Sequence, residues 1–583
     1  MSYLSYAANV LGRVAHAVDP NSPDSAINYV TGPQAEKHTH EVVSQLADKA
    51  PAIDWHALAP EITLACVALL VLIIDLFLKK RSSWRSSNVA AIGLLVSLIP
   101  VITLALDGQN RSLFGGAFVV DNYALAFKAF FIIGAYLCVL IGGDYIREGD
   151  YFQSEFWFLL LTSVFGMSAL ASSRDLISLF VALETVTIPT FVMAGWRRRD
   201  LRSNEAALKY YLIGVMSSAV MLYGMSFIAG MSGTTLFTGI HEYFESGNIT
   251  NLAHVAVILT VIGFAFKISA VPFHQWAPDT YEGAPTPVTA FLSVLSKAAG
   301  FVGLTVLLQY AFFPEHKIWM PIIFIMVIAS LIVGNFTALK ENNIVRMLAY
   351  SSIAQGGFIL LPLTLLAERG NFPVESALQA TVVYLIIYLL ANIGAFACVI
   401  AIARRTHSGE LETFKGLGQR EPFLAICLSI FLFSLAGIPP FAGWFAKFVM
   451  FRSALDVGTF GGVVLAVVAG VASVVAFVYY AGVVKRMWLE DPEEGAQGLA
   501  SMPDEDFLVS GGQRPGLKKK LLADAGSTGE ISESDSLLVD ARVSVGTPPA
   551  LKLAIVLCVT ATIVLGVFPG SVGRVAELVT LLS

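Results

Sequence analysis

The sequence predicts an all-α polytopic membrane protein of about fourteen transmembrane helices, with two inverted five-helix repeats that each contain a broken helix. Three observations support this prediction. Of the 583 residues, 56% are hydrophobic and only 14% are charged, whereas soluble domains carry about 25% charged residues. Apolar segments of about 20 residues, long enough to span a bilayer, recur from Leu58 onward. A five-residue pattern, Pro-Phe-x-x-Trp, interrupts two of these segments, at Pro272–Trp276 and Pro440–Trp444.

Fourteen apolar segments are candidate membrane spans, at approximately 58–78, 88–106, 122–146, 155–172, 174–195, 204–230, 252–271, 286–310, 318–338, 343–367, 377–403, 421–453, 462–486 and 550–582. The twelfth is too long for one straight helix, and Pro439-Pro440 is expected to break it. A polar N-terminal extension, 1–57, precedes them and lacks the apolar core of a signal peptide. An acidic stretch, 490–548, is predicted to be a flexible cytoplasmic insertion.

Basic residues cluster in the loops after the first, fifth and eleventh spans, whereas loops on the other side carry mostly single ones. The positive-inside rule then predicts cytoplasmic basic loops and places both termini outside. We expect a multi-pass protein of a bacterial inner membrane. No basic stripe indicates nucleic acid, no glycine-rich nucleotide motif is present, and the five cysteines lack the C-x-x-C spacing of metal sites. The sequence therefore predicts no metal or cofactor on this chain.

The two Pro-Phe-x-x-Trp patterns are part of a longer repeat. The offset between them, 440 − 272 = 168 residues, also places span five on span ten, span six near span eleven and span eight near span thirteen. Helices one to three (58–153) are therefore followed by two five-helix units, 154–312 and 313–489, and by a last helix in 549–583. An odd number of helices inverts the second unit, and inverted repeats with discontinuous helices are typical of transporters.

Five ionisable residues lie at depth in predicted spans: Glu184, Lys209, Lys267, Lys297 and Lys447. Such a residue near the centre of a membrane helix costs about 2.5–3.5 kcal/mol, so each one is a candidate functional residue. Snorkelling to the interface or a static ion pair is the alternative for each. Snorkelling is most plausible for Lys209, which lies near the start of its span, and a static pair with a lysine is the alternative for Glu184.

Buried lysines suit proton transfer because burial disfavours the ammonium form and a nearby carboxylate favours it. Breaks at Pro272 and at Pro439-Pro440 would expose backbone groups, which are tolerated at membrane depth where they line a water-filled cavity. His274, inside the first break, could bridge two files of water or could simply satisfy the broken helix. The residues predict a proton relay, with these candidates: Glu184, Lys209, Lys267, Lys297, Lys447 and His274.

Four stretches carry a family resemblance: "EAALKYYLIGVMSSAVMLYG", "GFAFKISAVPFHQWAPDTYEGAPTPVTAFLSVLSKAAGF", "VRMLAYSSIAQGGF" and "FSLAGIPPFAGWFAKF". They resemble the antiporter-like membrane subunits of respiratory complex I, over about 58–490 and 550–583. The "WAPDTYEGAP" loop and a lysine rather than a glutamate at 447 resemble the N-type subunit of NADH:quinone oxidoreductase, the counterpart of mitochondrial chain 2. The long lateral helix of the L-type is not expected.

The resemblance implies a role for each buried charge. Glu184 matches a glutamate on helix five that pairs with the lysine of broken helix seven, here Lys267, and Lys209 matches a lysine near this pair. Lys297 matches the lysine that connects two half-channels, and Lys447 matches the one that faces the outer exit. These roles agree with the relay expected from burial alone.

One position departs from the family pattern. Many relatives carry histidine where this chain has Gln355, and because glutamine does not titrate, a relay there would run through water or hydroxyl groups. The resemblance also implies that NADH oxidation and quinone reduction, with FMN, Fe–S clusters and quinone, take place on partner subunits.

The function implied is that of a proton-translocating subunit of a NADH:quinone oxidoreductase translocase, with no redox site of its own. The expected partners are other complex I membrane subunits (M-type, K-type and neighbouring small subunits) and the lipid bilayer. One alternative is a subunit of a multisubunit cation/proton antiporter or of a hydrogenase-linked complex. Another, of a different class, is a structural scaffold that conducts no protons.

Overall fold

The computed structural model describes residues 53–77, 84–148, 153–197, 200–247, 249–366, 374–406, 408–491 and 546–579. Nearly all of the predicted N-terminal extension, 1–57, and of the predicted insertion, 490–548, lies outside these ranges. Within them the regular secondary structure consists of helices and one short β-hairpin. The predicted all-α class is confirmed.

Three helices and the hairpin precede the repeats. Helix α1 spans Ala59–Phe77, α2 spans Trp84–Asp107 and α3 spans Asn122–Glu148. Strands β1 (Arg111–Leu113) and β2 (Phe118–Val120) pair antiparallel between α2 and α3. The apolar pattern did not predict this hairpin, because each strand is only three residues long.

The first unit follows the predicted order of spans. Its helices are α4 (Gln153–Ser172), α5 (Leu176–Ala194), α6 (Leu201–Ser232), a short α7 (Phe237–Glu245), α8 (Asn251–Lys267), α9 (Trp276–Gly283), α10 (Thr286–Phe291) and α11 (Lys297–Tyr310). Asp175 starts α5 by accepting hydrogen bonds from the backbone of Ile177 and Ser178. A π-helical turn, Leu292–Ser296, joins α10 to α11; hydropathy alone gave no sign of it.

The second unit contains α12 (His316–Ala338), α13 (Ile344–Leu360), α14 (Val374–Thr406), a short α15 (Leu417–Arg420), α16 (Pro422–Ala436), α17 (Gly443–Asp456) and α18 (Phe460–Leu489). The last apolar segment, expected over 550–582, forms two helices, α19 (Pro549–Val567) and α20 (Gly570–Leu578). Pro569 lies between them, and a proline cannot donate the backbone hydrogen bond that a continuous helix requires.

The two units pack in the same way. In the first, α4 packs on α5, α6 on α8 and α9, and α11 on α4 and α8. In the second, α12 packs on α13, α14 on α16 and α17, and α18 on α12 and α16. Each element of one unit thus has the neighbours that the sequence offset of the repeat assigns to it, which supports the predicted pair of five-helix repeats.

Eleven helical segments of the described ranges are long and apolar enough to cross a membrane, and three shorter apolar helices accompany them: Ala59–Ile74, Asn251–Lys267 and Pro422–Ala436. The last two end at the predicted breaks. Burial divides the bundle, because 94% of the apolar window in 286–310 is buried but only 33% of that in α18. The α10–α11 segment therefore lies in the centre of the bundle, and α18 lies at its outer surface.

We predict that Gly566→Ala destabilises the protein, because the second helix break packs directly on α19. A Cβ atom at Gly566 would lie 2.0 Å from the carbonyl oxygen of Pro440, which is backbone and has little freedom to move. Overpacking costs typically about 1–3 kcal/mol, and thermal unfolding of the purified protein would measure the loss. Gly482→Ala in α18 is the control, since its Cβ would meet nothing within 4 Å; equal effects of the two variants would contradict this packing.

Candidate functional site

The first break separates α8 from α9. Helix α8 ends at Lys267 and α9 begins at Trp276, as the Pro-Phe-x-x-Trp pattern predicted. The indole N–H of Trp276 donates to the carbonyl of Phe266 at 3.2 Å, and the N–H of Val271 donates to the hydroxyl of Ser330 at 2.9 Å. The pattern thus supplies a tryptophan that satisfies a carbonyl freed by the break.

The second break, between α16 and α17, is built in a similar way. The N–H of Gly443 donates to the Ser434 hydroxyl at 3.1 Å, and the indole of Trp444 donates to the carbonyl of Gly566 at 3.0 Å. Gly437 ends α16 with φ +90°, a left-handed conformation that favours glycine. Both breaks therefore leave backbone groups that side chains satisfy inside the membrane.

Lys267 lies at the end of α8 and contacts Glu184 of α5 at 3.2 Å. The same ammonium donates to the hydroxyl of Thr187 at 2.7 Å and to that of Ser218 at 3.3 Å, and Ser218 in turn donates to Glu184 at 2.6 Å. Lys267 is only 6% exposed. Helices α5, α6 and α8 therefore assemble a buried cluster in which a lysine, a carboxylate and two hydroxyls are linked by hydrogen bonds.

Lys297 lies at the start of α11, directly after the π-helical turn. Its ammonium donates to the hydroxyl of Ser352 at 2.8 Å and to the carbonyl of the same residue at 3.1 Å. It also lies 5.7 Å from the ring centroid of Tyr281. Ser352 is on α13, so this contact joins the two units at the centre of the bundle.

Lys447 lies on α17, one turn after the second break. Its ammonium donates to the carbonyl of Ala436, the last residue of α16, at 2.9 Å and sits 4.7 Å from the ring centroid of Phe358. A Cβ atom at Gly437 would lie 2.7 Å from the lysine side chain, so this glycine leaves room for the lysine stem. The break supplies the polar partner of Lys447.

The polar side chain of Gln355 lies near the partners of both Lys297 and Lys447. Gln355 follows Ser352 by one turn of α13; its amide donates to the carbonyl of Leu435 at 3.1 Å and accepts from the Tyr384 hydroxyl at 2.6 Å. Leu435 is adjacent to Ala436, the partner of Lys447. Tyr480 extends this network, since its hydroxyl is hydrogen-bonded to Ser351. Hydroxyl and amide groups thus occupy the position where a titrating histidine was expected in relatives.

A second set of hydroxyls extends from Lys267. Thr187, which accepts from Lys267, lies one turn before Thr190, and Thr190 is hydrogen-bonded to the hydroxyl of Tyr210 at 3.1 Å. On the other side, a Cβ atom at Gly300 of α11 would lie 3.2 Å from the Cβ of Lys267. Gly300 is one turn after Lys297, so the two lysines belong to directly packed segments.

We refer to Glu184, Lys267, Lys297 and Lys447 as the row. The other two candidates, Lys209 and His274, form no hydrogen bond or ion pair with these four residues among the described contacts. Lys209 forms ion pairs with Glu205 and Asp279, each at 2.7 Å, and its side chain is 43% exposed; the structure does not bring it into contact with Glu184 or Lys267. His274 lies in the first break with its Nδ1 atom buried and no hydrogen-bond partner for that atom among the described residues. The structure therefore brings Lys267 onto Glu184, gives Lys297 and Lys447 polar partners in the second unit, places His274 within electrostatic range of Lys297 and leaves Lys209 at the edge.

No local pattern in the sequence identifies the hydroxyl groups that contact these lysines. Thr187, Ser352 and Tyr384 fall in apolar spans together with many core hydroxyls, and only packing distinguishes them. A buried pair in the first three helices, Lys128 with Glu61, was missed altogether, although Lys128 lies inside the third predicted span and a scan for lysines would find it. Among the described residues, no cluster of His, Cys, Asp and Glu could hold a metal ion.

Residues 173–473, or 473 − 173 + 1 = 301 of 583, match the sequence family described as NADH:quinone oxidoreductase/Mrp antiporter, TM. The chain belongs to this family. The matched range contains every predicted relay residue, both helix breaks and most of the two repeats. The resemblance to antiporter-like complex I subunits is thereby confirmed at the level of the family.

Similar proteins with known names support this family assignment. NAD(P)H-quinone oxidoreductase subunit 2, chloroplastic, from Mesostigma viride is 38% identical over 455 residues, 77% of this chain and 88% of the relative. A chain of respiratory complex I from Thermus thermophilus with bound aureothin shares 28% identity, with a TM-score of 0.64 over 89% of this chain and 99% of that one. A chain of the Mrp complex from Dietzia sp., at 21% identity and TM-score 0.72 over 90% and 96%, shares the fold.

The antiporter-like subunit should depend on the Glu184–Lys267 pair for stability. Lys267→Met leaves a carboxylate without its counter-charge, and removal of one partner of a buried pair costs about 3–5 kcal/mol. The double variant Lys267→Met/Glu184→Gln replaces both charges and should regain most of that loss in a thermal unfolding assay. Lys209→Met is the control, because half-exposed ion pairs contribute only about 0–1 kcal/mol; a loss in the control as large as in Lys267→Met would refute this account.

Proposed function

We propose that the chain is the N-type antiporter-like subunit, named subunit 2 in relatives, of a NADH:quinone oxidoreductase, and that it translocates protons across the membrane. Redox chemistry on partner subunits would drive the movement. One observation carries the proposal: a row of three buried lysines and a glutamate extends over both repeats, the lysines contact a carboxylate, hydroxyls or carbonyls, and two helix breaks lie beside Lys267 and Lys447. A structural bundle has no need of such a row, because each charge is costly in a membrane.

The proton is held first by Lys267 and Glu184. While Glu184 stays at 3.2 Å it stabilises the ammonium, and if the glutamate turns away, that Coulombic stabilisation falls with distance. Ser218 and Thr187 contact the same ammonium and can accept and donate protons. In this proposal, His274 and Lys209 connect the pair to water at the first break and at the edge of the bundle.

From there, the proton passes to Lys297 and then to Lys447. Among their described contacts both lysines meet neutral groups, namely Ser352, the carbonyl of Ala436 and aromatic rings. A proton on either is therefore stabilised by dipoles and not by a counter-charge. Gln355 does not titrate, so transfer past it uses the hydroxyls of Tyr384 and Tyr480 together with water. Lys447 beside the second break leads to the outer exit.

The same proposal places the subunit in its assembly. Its partners are other complex I membrane subunits of the M-type, the K-type and smaller neighbours. The FMN, the Fe–S clusters and the quinone are expected on partner subunits of the complex. We place it in a bacterial inner membrane with both termini outside, since the basic loops after the first, fifth and eleventh spans are then cytoplasmic.

A cation/proton antiporter subunit is the second candidate, and the shared fold with the Dietzia Mrp chain supports it. The two candidates differ in what drives the protons. A complex I subunit moves them during NADH oxidation in the absence of sodium, whereas an antiporter subunit moves them in response to a sodium gradient without NADH. Vesicles that contain the intact assembly distinguish these cases directly.

We predict that Lys297→Met abolishes NADH-driven proton pumping in membrane vesicles while the complex still assembles, because methionine fills the buried site but carries no proton. Lys267→Ala and Glu184→Ala should also cause a large loss. Lys485→Met is the control, since this lysine of α18 is 66% exposed and pairs only loosely with Glu490 at 3.8 Å. Pumping at the wild-type level in assembled Lys297→Met would favour the scaffold alternative.

A further inference from the structure

The first three helices contain a buried ion pair that the proposed relay does not use. Lys128 of α3 lies 2.8 Å from Glu61 in the first turn of α1, and the side chains are 0% and 7% exposed. The hydroxyl of Ser168, on α4, donates to the same carboxylate oxygen at 2.7 Å. Lys128 cannot be snorkelling to the interface, because its side chain is fully enclosed; the aromatic ring of Phe118 covers it at 5.0 Å.

This arrangement repeats the chemistry of the Glu184 cluster. In both, a lysine and a serine hydroxyl converge on a single carboxylate oxygen: Lys267 and Ser218 on Glu184 at 3.2 and 2.6 Å, and Lys128 and Ser168 on Glu61 at 2.8 and 2.7 Å. The helices differ, since one cluster uses α5, α6 and α8 and the other α1, α3 and α4. The second cluster also lies outside the family match, 173–473.

The Glu61 cluster has hydrogen-bonding capacity to spare. Apart from the ion pair itself, neither the Lys128 ammonium nor the second carboxylate oxygen of Glu61 has a hydrogen-bond partner among the described residues. Buried polar atoms of this kind indicate an ordered water or a functional role. A purely structural ion pair is a weak source of stability and gains from satisfying all its polar atoms.

Helices α4 and α5, which each contribute a residue to one of the two clusters, pack closely on each other. Gly166, two residues before Ser168, packs so tightly on α5 that a Cβ atom would lie 2.8 Å from the N of Val186 and 3.0 Å from the carbonyl of Ala182. Glu184 lies between those two residues. Because residues two positions apart lie on nearly opposite faces of a helix, the side chains of Ser168 and Glu184 point away from this contact, and the two clusters lie on opposite sides of the α4–α5 pair.

Other charges near the Glu61 cluster are neutralised in pairs. Asp121 and Arg174 form an ion pair at 2.7 Å, two turns from Lys128 along α3, and Arg111 pairs with Asp54 and Asp107 beside the hairpin. The remaining charged side chains described on α3 and α4 lie about four turns away: Asp144, Arg147 and Glu155. The charge state of the cluster thus depends mainly on its own members.

We propose that Glu61, Lys128 and Ser168 form a second proton-binding triad, whose ion pair lies on the helices that precede the inverted repeats and whose serine lies on α4 of the first unit, and that this triad holds a proton during translocation. The proposal rests on proton translocation by this subunit. On uptake, a proton from water forms an O–H bond on the Glu61 carboxylate and the net charge of the triad rises from 0 to +1; release to water reverses the step. The triad thereby gives the subunit a proton-holding site on the side of the α4–α5 pair opposite Glu184.

Charge-neutral double substitution separates this proposal from a structural ion pair. Glu61→Gln and Lys128→Met each strand a buried charge, so both single variants should lower assembly and pumping. Glu61→Gln/Lys128→Met removes both charges, and assembly should return, as judged by the amount of intact complex on native gels. NADH-driven pumping per assembled complex should stay several-fold below wild type, because nothing titrates at the site. Recovery of pumping to wild type would overturn the proposal.

Two further variants complete the experiment. Asp121→Asn/Arg174→Gln removes the neighbouring buried pair and is the control. Its complexes that assemble should pump at the wild-type level. Glu61→Asp keeps a titrating carboxylate and should pump better per assembled complex than Glu61→Gln; equal pumping by these two would also overturn the triad, even if the double variant assembles poorly. Loss of pumping in Lys297→Met alongside a recovered double variant would leave the proposed function standing and remove only the triad.

Discussion

A polar group inside a bilayer must find its partner within the protein, and this constraint shapes the whole bundle. The two breaks leave backbone groups without a helical partner at membrane depth. A side chain at each break donates a hydrogen bond to a carbonyl there: Trp276 to that of Phe266, and Lys447 to that of Ala436. The buried amines obey the same rule through hydroxyls and carbonyls. Because nearly every such contact crosses between helices, satisfying the polar groups also fixes how the helices pack.

The repeats share their helix packing but not their charges. In the first unit, Lys267 has a carboxylate partner, whereas Lys447 in the second unit contacts a carbonyl and an aromatic ring. Lys297 bridges the units through Ser352. An ammonium beside a carboxylate and one held only by dipoles respond differently to a change in their surroundings. Two units with the same helix packing therefore carry buried amines with different partners.

Helices α1 and α3, which precede the repeats, form a further buried charged pair against α4 of the first unit. Glu61, Lys128 and Ser168 reproduce the convergence of a lysine and a serine on one carboxylate oxygen that Glu184 shows. The close approach at Gly166 then brings α4 against the turn of α5 that bears Glu184. The helices that precede the repeats thus do not serve for packing alone, since they place a further charged pair beside the first unit.

The sequence by itself determined the membrane class, the spans, the two breaks and the buried charges Glu184, Lys267, Lys297 and Lys447, because hydropathy and helix-breaking residues act locally along the chain. It also indicated the repeat through the Pro-Phe-x-x-Trp pattern. Only the tertiary structure decided which hydroxyls meet the lysines, that Lys209 pairs with Glu205 and Asp279 instead of Glu184, and that Lys128 meets Glu61. These contacts join helices that are distant in sequence, and a side chain's neighbours across a helix interface depend on packing that no local pattern records.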